Sequence, residues 1–586
     1  MVWRLGSLKN RLTSAAKMTP DSLFPRNHIF VISCLQSPDQ IGMQSPHGIK
    51  FSAHRPTIMG RNGMVASGHP LASQAGVKIM MQGGNAVDAA IATAAALGVV
   101  EPYNSGMGGD GFLLIYCARD NQVRAVNGTG AAPYGARREL FLDSGIPKKG
   151  ILSVSVPGIV DAWCIAHEKY GALTLEQVLD PAIDLAENGF PVSHKLAGEL
   201  RGEHRLFSSD PLTRAVFTKN GTSLGPGDIL VQEDLAESYR KLASGGRDRF
   251  YKGDIARELL RFSEGCNGLL QKKDLADHQS HFDEPIHTTY HGYKVFESPP
   301  NSSGHVLLQE LNIVEQFELP ASGCNTAQSI HLMVEAKKLA FADREQYVAD
   351  PRWVDIPLEG LLSKAYAAER ASGINPDRAA TDVGPGGPEH CSDTTCFCVV
   401  DGQGNAVCQL QSLQQGFGSS LIAGKTGILL NNRMTYWHLD QDHVNVLQPG
   451  KRVRHTMNPV IVTSGDKLFL TCGTPGADTQ VQTNLQLITH MIDFGMNAQE
   501  AVEAPRWRSL QNPMESTVPH TCEDTLQLED RFPEAVRQCL ADKGHSIDLV
   551  GDWGGPGSAM AIVVDPDTGA LMGGADPRRD GYAVGW

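Results

Sequence analysis

The sequence predicts an α+β fold in which helices and antiparallel strands share one core. Apolar residues repeat at intervals of 3, 4 and 7 along much of residues 153–350, as in TLEQVLDPAIDLAENG, which indicates helices. The C-terminal part carries paired strand patterns with turn dipeptides, as in VIVTSGDKLFLTCG and AMAIVVDPDTGALMGG. No long linker divides the 586 residues, so both kinds of element are expected in one globular unit.

The composition restricts the class of partner. Hydrophobic residues make up 41% of the chain and charged residues 20%, as in folded globular proteins. The formal charge of −14 argues against nucleic acid or an anionic membrane as the main partner. No apolar run approaches the roughly 20 residues that a membrane span needs. We therefore expect neither nucleic acid nor a membrane as a partner.

The N-terminal region and the cysteines bear on the compartment. Residues 1–18 contain four basic residues and no acid before Asp21, which resembles a mitochondrial presequence. The main expectation is an extension, residues 1–62, outside the core of a cytoplasmic protein, with a mitochondrial location as the alternative. The twelve cysteines include no CxxC pair, which favours free thiols in a reducing compartment.

Two helices are expected directly after this extension. The segment HPLASQAGVKIMMQGGN predicts a helix from about Pro70 to Gln82, with a proline early and a Gly-Gly stop. NAVDAAIATAAALGVVEP predicts a second helix that ends near Glu101-Pro102. Because this helix is apolar on nearly every side, we expect it to be buried between layers.

Two patterns suggest cofactors but lack the necessary context. The loop SGMGGDGF matches GxGxxG, yet a helix precedes it and a strand follows, the reverse of a dinucleotide site, and no Lys-Ser/Thr follows as in a phosphate loop. The second pattern is a group of four histidines close together in the sequence, His278, His281, His287 and His291. Their HxxH spacing has no third ligand at a defined distance. We expect no metal and no organic cofactor.

The region 390–412, HCSDTTCFCVVDGQGNAVCQLQS, predicts two strands joined by a tight turn. Farther on, GILLNN predicts another strand, and TNLQLITHMIDFG predicts a helix, with a further helical run after Asn497.

The first of the two strands in the region 390–412 begins with the hydroxyls of Thr394 and Thr395, directly after the Gly/Pro-rich VGPGGPEHC. A threonine hydroxyl becomes a useful nucleophile when its own nitrogen is freed as an α-amine, whose pKa is about 7.7–8.0. That requires a cut between Asp393 and Thr394. By itself this local pattern fits an ordinary Thr-rich strand start as well.

The wider sequence resembles the γ-glutamyltransferase family of N-terminal nucleophile hydrolases from about Gly63 to Asp580. The segments that carry the resemblance follow one another in the family's order. They are HPLASQAGVKIMMQGGNAVDAAIATAAALGVVEP, SGMGGDGF, SVSVPGIVDAW, VFESPPNSSGHVLLQ, VEAKKLAFADREQY, DTTCFCVVDGQGNAV, GILLNNRM, NPVIV, GTPGAD and GGADPRRDGY.

The resemblance implies an αββα sandwich made as a proenzyme that cuts itself before a threonine. Here that threonine is Thr394, which attacks the Asp393 carbonyl during maturation and then the amide of a small-molecule substrate. The large subunit would comprise residues 63–393 after the extension, and the small subunit residues 394–586. The two fragments of the one precursor would remain packed together.

The resemblance also assigns supporting roles in the reaction. Ser412 falls where the family has a hydroxyl beside the nucleophile, and its role would be to position the Thr394 oxygen. GTPGAD matches the family's oxyanion-hole segment, with Gly476 and Ala477 at its two glycine positions. The donors there are backbone N–H groups, so an alanine can serve if its conformation allows it.

The head-group pocket of the family is altered. Thr129, with no cation near it in AVNGTGAAP, replaces the arginine that clamps the substrate carboxylate, and a hydroxyl cannot reproduce a bidentate Arg–carboxylate pair. Tyr436 replaces the aspartate that holds the α-ammonium. The remaining pocket positions are Gln414 for an asparagine, Asn432 before Tyr436, and His455-Thr456 for a Ser-Ser pair.

The expected function is therefore a self-processing Thr amidohydrolase, closer to the oxamate amidohydrolase and cephalosporin-acylase-like branch of the family. It would hydrolyse a small amide, or transfer its acyl group, with altered recognition of a glutamyl head group. One alternative is a true γ-glutamyltransferase or glutathione hydrolase whose clamps are relocated to Arg452, Arg454 or His455. Another is a catalytically inactive member that acts as a binding protein.

Overall fold

The computed structural model describes residues 53–381, 383, 393–511, 516–520 and 523–586, and for Asp393 and Thr394 the description covers the backbone alone. These residues belong to one unit, which spans Ser45–Trp586. The predicted extension up to residue 52 lies outside the described residues. Within the part described, no helix combines the length and the apolar character that a bilayer span requires.

The helices of the described chain occupy three stretches, before residue 110, between residues 128 and 393, and after residue 473. They are α1 (Pro70–Met81), α2 (Ala86–Val100), α3 (Ile159–Tyr170), α4 (Leu175–Asn188), α5 (His194–Gly202), α6 (His204–Phe207), α7 (Pro211–Phe217), α8 (Glu233–Tyr251), α9 (Asp254–Gly265), α10 (Lys272–Asp277), α11 (Gly304–Val314), α12 (Leu319–Ser322), α13 (Ala327–Tyr347), α14 (Leu358–Leu361), α15 (Lys364–Ser372), α16 (Thr479–Ile492), α17 (Ala498–Glu503) and α18 (Glu534–Asp542).

The strands are spread along the described chain, and the two longest, of nine residues each, lie around residue 400. They are β1 (Ile58–Gly60), β2 (Gly63–Ser67), β3 (Asp110–Cys117), β4 (Gln122–Gly128), β5 (Phe190–Pro191), β6 (Thr218–Lys219), β7 (Thr222–Ser223), β8 (Ile229–Leu230), β9 (His281–Asp283), β10 (Ile286–Tyr290), β11 (Tyr293–Glu297), β12 (Asp393–Asp401), β13 (Ala406–Gln414), β14 (Val460–Ser464), β15 (Lys467–Gly473), β16 (Trp507–Ser509), β17 (Leu526–Leu528), β18 (Ile547–Leu549), β19 (Met560–Val564), β20 (Leu571–Ala575) and β21 (Tyr582–Gly585).

Two seven-stranded antiparallel sheets form the middle of the molecule. The first has the order β21-β2-β12-β13-β3-β4-β9, and the second has the order β1-β20-β19-β15-β14-β11-β10. Strand β1 lies before the predicted boundary at residue 62 and pairs with β20 at the edge of the second sheet. Apolar side chains of both sheets, among them Cys398 and Ile562, meet in a shared core.

The other face of each sheet is covered by helices. Alternation along β12 sends Phe397 and Val399 into a core with α1–α4 and α8, while Cys396 and Cys398 face the second sheet. The second sheet packs its outer face against α11, α13, α16 and α17. The predicted αββα sandwich is confirmed.

The first two helices agree with the sequence. Helix α1 ends at Met81, one residue before the predicted end, and α2 is followed by its C-cap Glu101. Asn85 caps α2 by accepting from the backbone N–H groups of Val87 and Asp88. Every side chain of α2 is buried, because the helix lies between the first sheet and the outer helices.

The predicted hairpins β12–β13, β14–β15 and β19–β20 all form. The predicted strand GILLNN is wrong, because residues 427–432 make only isolated bridges, such as Gly108↔Leu430. Their backbone groups pair instead with the glycine loop and with the end of β13: Asn431 N–H donates to Gly108 O, and Asn432 N–H to Leu413 O. A single 3₁₀ turn, Arg433–Tyr436, follows directly.

Candidate active site

One end of the first sheet gathers residues that are far apart in the sequence. In the register of β12, β13 and β3, Asp393 is paired with Gln414, and Ser412 with Asp110. Gly111 is in turn paired with Gly128, the last residue of β4. The backbone of Thr394 therefore lies at the same sheet end as Ser412, Asp110 and the segment after β4 that contains Thr129.

The residues after Thr394 face opposite layers. The Thr395 hydroxyl donates a 2.8 Å hydrogen bond to Glu101 Oε2 on the helical side. Cys396 faces the second sheet, where a Cβ on Gly473 would meet its Sγ at 2.5 Å. Burial raises the pKa of Glu101, although the hydrogen bond from Thr395 acts in the opposite direction. The hydroxyl of Thr395 is thus occupied by a buried carboxyl group behind the sheet.

Ser412 is fully buried near the end of β13. Its Oγ accepts a 2.7 Å hydrogen bond from the backbone N–H of Gln414. Gln414 has a left-handed φ of 93°, and the pairing of β12 with β13 is irregular between Asp393 and Thr395. The Gln414 side chain donates from Nε2 to Thr517 Oγ1 at 3.4 Å. The strand ends are therefore bent away from a regular ladder at the predicted cleavage position.

The GTPGAD loop joins β15 to α16. Gly476 and Ala477 have φ values of 130° and 49°, and no hydrogen bond from either backbone N–H is found within the described residues. Consecutive N–H groups in such a turn form a concavity that binds anions, here at the N-terminus of a 14-residue helix. Because Gly473 packs on Cys396, this loop follows a strand that contacts β12 close to Thr394.

The loop is anchored through Asp478. Its carboxylate forms an ion pair with the buried Arg344 of α13 and accepts a 2.8 Å hydrogen bond from the Ser516 backbone N–H. Arg344 also donates to Glu345, which in turn receives two hydrogen bonds from Arg454, at 2.9 and 2.8 Å. Arg454 is therefore committed to a structural ion pair and is not a relocated carboxylate clamp.

Asn432 also has a structural environment. Its Nδ2 donates to Lys148 O and to Gln415 Oε1, and its Oδ1 accepts from the Gln415 backbone N–H. The side chain thus fixes the chain just after β13.

Arg452 lies at a different place. It donates to Gln279 O at 2.6 Å and lines a cavity of about 250 Å³ with His281 and Arg352.

The structure brings Thr129 into a buried amide network. Its hydroxyl donates to Asn127 Oδ1 at 2.7 Å and accepts from Asn301 Nδ2 at 3.2 Å. The backbone carbonyl oxygen of Asn301 also accepts a 2.7 Å hydrogen bond from the His455 backbone N–H. The segment PPNSSG therefore links the loop after β4 to the segment that contains His455-Thr456.

A charged cluster lies beside this network. Asp110 Oδ2 is 3.3 Å from His455 Nε2 and 3.4 Å from Arg433 Nε, while Oδ1 accepts from the Gly130 backbone N–H at 3.2 Å. The guanidinium carbon of Arg433 lies 4.8 Å from the centre of the Tyr436 ring. We refer to Asp110, Arg433 and His455 as the charge cluster. The cluster brings a cation, Arg433, to within 3.4 Å of a carboxylate that also accepts from Gly130, the residue after Thr129.

Of the predicted pocket residues, the structure brings Tyr436, His455 and Thr456 into contact with one another. The Tyr436 hydroxyl lies 3.1 Å from Thr456 Oγ1, and its ring makes an edge contact with His455 at 6.3 Å between centres. Sequence reasoning missed Asp110 and Arg433. The available signal was a charged residue inside each of two quoted motifs, SGMGGDGF and GILLNNRM.

The surroundings of His455 in the charge cluster change the pKa of its imidazole. Burial, and after it the nearby Arg433, lowers the pKa of His455 to about 4, against the influence of Asp110. His455 is therefore neutral at pH 7. Asp110 and Arg433 form a pair of opposite charges with a neutral imidazole beside it.

Three groups of mostly buried side chains have metal-like spacing in the described chain. The thiols of Cys396, Cys398 and Cys408 lie in the apolar core between the sheets. The other two groups are His331, Glu335 and His545, and Glu345, His438 and His443. Glu335 pairs with Lys338, and Glu345 with two arginines, so cations already neutralise both carboxylates.

The layered fold and the site define the class of protein. An αββα sandwich with a threonine near the start of a central strand is the architecture of N-terminal nucleophile hydrolases, and here the Gly476 and Ala477 N–H groups, which donate to nothing within the described residues, follow a neighbouring strand. The family model described as Gamma-glutamyltranspeptidase matches residues 72–586. The chain belongs to this family.

The relatives span several named activities. The chain is 40% identical over 535 residues to the "Glutathione hydrolase-like YwrD proenzyme" of Bacillus subtilis, covering 90% of this chain and 99% of that one. It is 33% identical to the "Oxamate amidohydrolase proenzyme" of Klebsiella pneumoniae over 90% and 98% of the two chains. A cephalosporin acylase structure from Bacillus halodurans superimposes with a TM-score of 0.84 at 36% identity, covering 93% and 99%. The chain thus belongs to a divergent branch of self-processing hydrolases.

Proposed function

We propose that this protein is an amidohydrolase that cuts itself between Asp393 and Thr394 and then uses Thr394 as its nucleophile. Its substrate is a small amide whose acyl group is recognised differently from a glutamyl group. The fragments 63–393 and 394–586 stay packed together, since strands of both contribute to each of the two sheets.

The observation that carries this proposal is the pair of N–H groups at Gly476 and Ala477. They follow β15, whose last residue packs on Cys396, two residues after Thr394. An oxyanion formed at Thr394 needs donors at this side of β12, and one such donor can contribute about 2.7–4 kcal/mol to the transition state. The hydroxyl of Thr395, by contrast, is bonded to Glu101 on the other face.

Maturation and turnover use the same chemistry. Thr394 Oγ attacks the Asp393 carbonyl carbon, the C–N bond breaks, and the Thr394 nitrogen takes up a proton as the free α-amine. Water then hydrolyses the resulting ester, which frees Thr394 Oγ and the Asp393 carboxylate. That amine accepts the hydroxyl proton when Oγ attacks a substrate amide, and the leaving amine takes up a proton. Water then hydrolyses the acyl ester, or a second amine accepts the acyl group.

N-terminal sequencing of the purified protein tests the proposal. Wild type is expected to yield two fragments, one of which begins at Thr394. The Thr394→Ala variant should remain one uncut chain, while the matched Thr394→Ser variant keeps a hydroxyl and should still be cut. A folded wild type that stays intact after long incubation would contradict the proposal and support an inactive binding protein. A fragment that begins at Thr395 would shift the nucleophile by one residue.

A glutathione hydrolase with relocated clamps is the second candidate. The charge cluster contains one acid, Asp110, and one base, Arg433, which is the minimum that a glutamyl head group requires. Hydrolysis of a γ-glutamyl anilide, compared with its analogue without the α-amino group, separates the two candidates.

A further inference from the structure

Arg452 differs from the other buried arginines of the described chain. The buried arginines there are Arg344, Arg433, Arg452, Arg454 and Arg506. Each of the other four has a carboxylate oxygen within 3.4 Å of its guanidinium. Among the described residues, no carboxylate oxygen lies within 4.0 Å of the guanidinium nitrogens of Arg452. A buried cation without an opposite charge is unfavourable, so this arginine needs an explanation that the other four do not.

The hydrogen bonds of the Arg452 guanidinium go to groups other than carboxylates. Nη2 donates to the backbone carbonyl of Gln279 at 2.6 Å, and Nη1 lies 3.2 Å from Nδ1 of His281. Asp350 accepts from the Arg452 backbone N–H at 2.8 Å, but both of its carboxylate oxygens are bound by the guanidinium of Arg352. Burial, and after it Arg352, lowers the pKa of Arg452 to about 10, against the influence of Asp350. An anion in contact with the guanidinium would offset this cost.

The space for such an anion is the cavity of about 250 Å³ that Arg452 lines together with Arg352 and His281. The side chains of Arg352 and His281 are 53% and 43% exposed, so the cavity reaches the protein surface. A small solute can therefore enter from solvent and meet two guanidinium groups and an imidazole.

Two aspartates line the same cavity, and donors of the protein already occupy them. Asp274 accepts from the backbone N–H groups of Tyr134 and Gln271 at 2.7 and 2.6 Å. Asp277 accepts from the Tyr134 hydroxyl at 3.1 Å and lies 3.9 Å from Lys273 Nζ. Because these carboxylates repel a second negative group, the lining favours a compact anion over an extended polyanion.

We propose that this cavity is a binding site for a small oxyanion, a carboxylate or a phosphate, held by Arg452 and Arg352. A planar guanidinium binds both kinds of oxyanion through two parallel hydrogen bonds. The site is distinct from the charge cluster and from Thr394, and it does not depend on the proposed function.

The cavity is connected to the candidate active site through two chain segments. Ala131 and Arg452 form a bridge, and Ala132 N–H donates to Lys451 O at 2.9 Å. The same segments contain Thr129 and His455, two residues before Ala131 and three residues after Arg452. An anion bound to Arg452 therefore stabilises a pair of segments that also contributes to the candidate active site.

Isothermal titration calorimetry of the mature protein with inorganic phosphate and with acetate tests the proposal. Sodium chloride keeps the ionic strength constant, so that a general salt effect is removed. Wild type is expected to bind one anion per chain. Arg452→Met should weaken binding by about 10–100-fold, the effect of losing charge-assisted hydrogen bonds. Arg452→Lys keeps the charge but not the planar fork, and its affinity should lie between the two.

Two further variants keep the test independent of the stability of Arg452→Met. Arg352→Gln changes an exposed side chain and should weaken binding at least about threefold, since it removes the second guanidinium. Phosphate should also raise the Tm of wild type more than that of Arg352→Gln. Arg261→Met, at an exposed arginine paired with Glu258 and outside the cavity lining, is the control and should bind as wild type does.

The outcomes decide both the site and its ligand. Saturable binding of phosphate alone supports a phosphate site, and binding of acetate as well supports a site for carboxylates. The absence of saturable binding of either anion overturns the proposal. Equal affinity in wild type and Arg352→Gln also overturns it, whether or not Arg452→Met folds.

Discussion

Ser412 illustrates how the site is set at the level of single residues. Its buried Oγ accepts from the Gln414 backbone N–H, so the hydroxyl lies within a sharply bent segment at the end of β13. It is on the strand next to β12 and near the backbone of Thr394. A hydroxyl in this place can orient the nucleophile and also fix the local backbone.

The Ser412→Ala variant is expected to slow both self-cleavage and turnover, within the range of 10²–10⁴ that is typical of a positioned acid–base partner. The measurements are the half-time of fragment formation and kcat on the preferred amide. Ser238→Ala removes another buried hydroxyl, one that donates to Thr426 O at 2.7 Å, and serves as the control. If both rates match wild type in Ser412→Ala, the residue has only a structural role.

At the level of elements, the glycine loop between α2 and β3 holds the sheet end together. Gly109 lies against the backbone of Ser412, and Gly108 against that of Leu429, so that a Cβ at either position would clash with a carbonyl oxygen. Gly109 O also accepts from the backbone N–H groups of Gly158 and Ile159. The glycines therefore serve close backbone packing around the candidate site, which agrees with the absence of a nucleotide-binding context in the sequence.

The Gly109→Ala variant should displace this loop from β13 and reduce the fraction of cut protein at least tenfold at a fixed time. The physical reason is that the clashing atoms belong to the backbone and cannot rotate away. Gly198→Ala, in helix α5 with open space around the Cα, is the control and should be neutral or stabilising by about 1 kcal/mol. The measurement is gel electrophoresis of the cut and uncut chains over time. If Gly109→Ala is cut at the rate of wild type, the loop tolerates a shift.

At the level of the whole molecule, burial of histidines makes the fold sensitive to acid. Burial is the main cause that lowers the pKa of several of them: His69, His278, His287, His305, His331, His438, His455, His490, His520 and His545. Between the unfolded pKa of about 6.5 and these lower folded values, the unfolded chain binds more protons, so stability is lost as the pH falls. Carboxyls with a raised pKa, such as Glu310 at about 8, act in the opposite sense.

His305 allows a direct test of this balance. Its pKa is lowered to about 3, first by burial and then by Arg344 and Arg454. Between pH 7 and pH 5 it should account for about 2 kcal/mol of lost stability, which His305→Gln removes. The measurement is urea unfolding at both pH values, in a Thr394→Ala background so that the chain stays uncut. An equal loss with and without His305 would contradict the assignment.

Much of the fold was accessible from the sequence because its signals are local. The caps and apolar patterns of α1 and α2, and the turn dipeptides of three hairpins, depend on residues a few positions apart. The strand predicted for GILLNN was wrong because that prediction, too, used only local signals. Its apolar run fits a strand, but the partners of its backbone, Gly108 in the glycine loop and Leu413 at the end of β13, provide only single contacts and no ladder.

The sequence by itself determined the layers, the family and the candidate nucleophile Thr394, since these rest on periodicity and on motifs read in order. The tertiary structure alone decided which charges meet. Asp110 and Arg433 become neighbours because four strands and the turn after residue 432 end at one side of a sheet, a consequence of long-range strand register. Register depends on pairing between distant segments and has no local pattern of its own. The charge cluster is therefore a property of the folded chain.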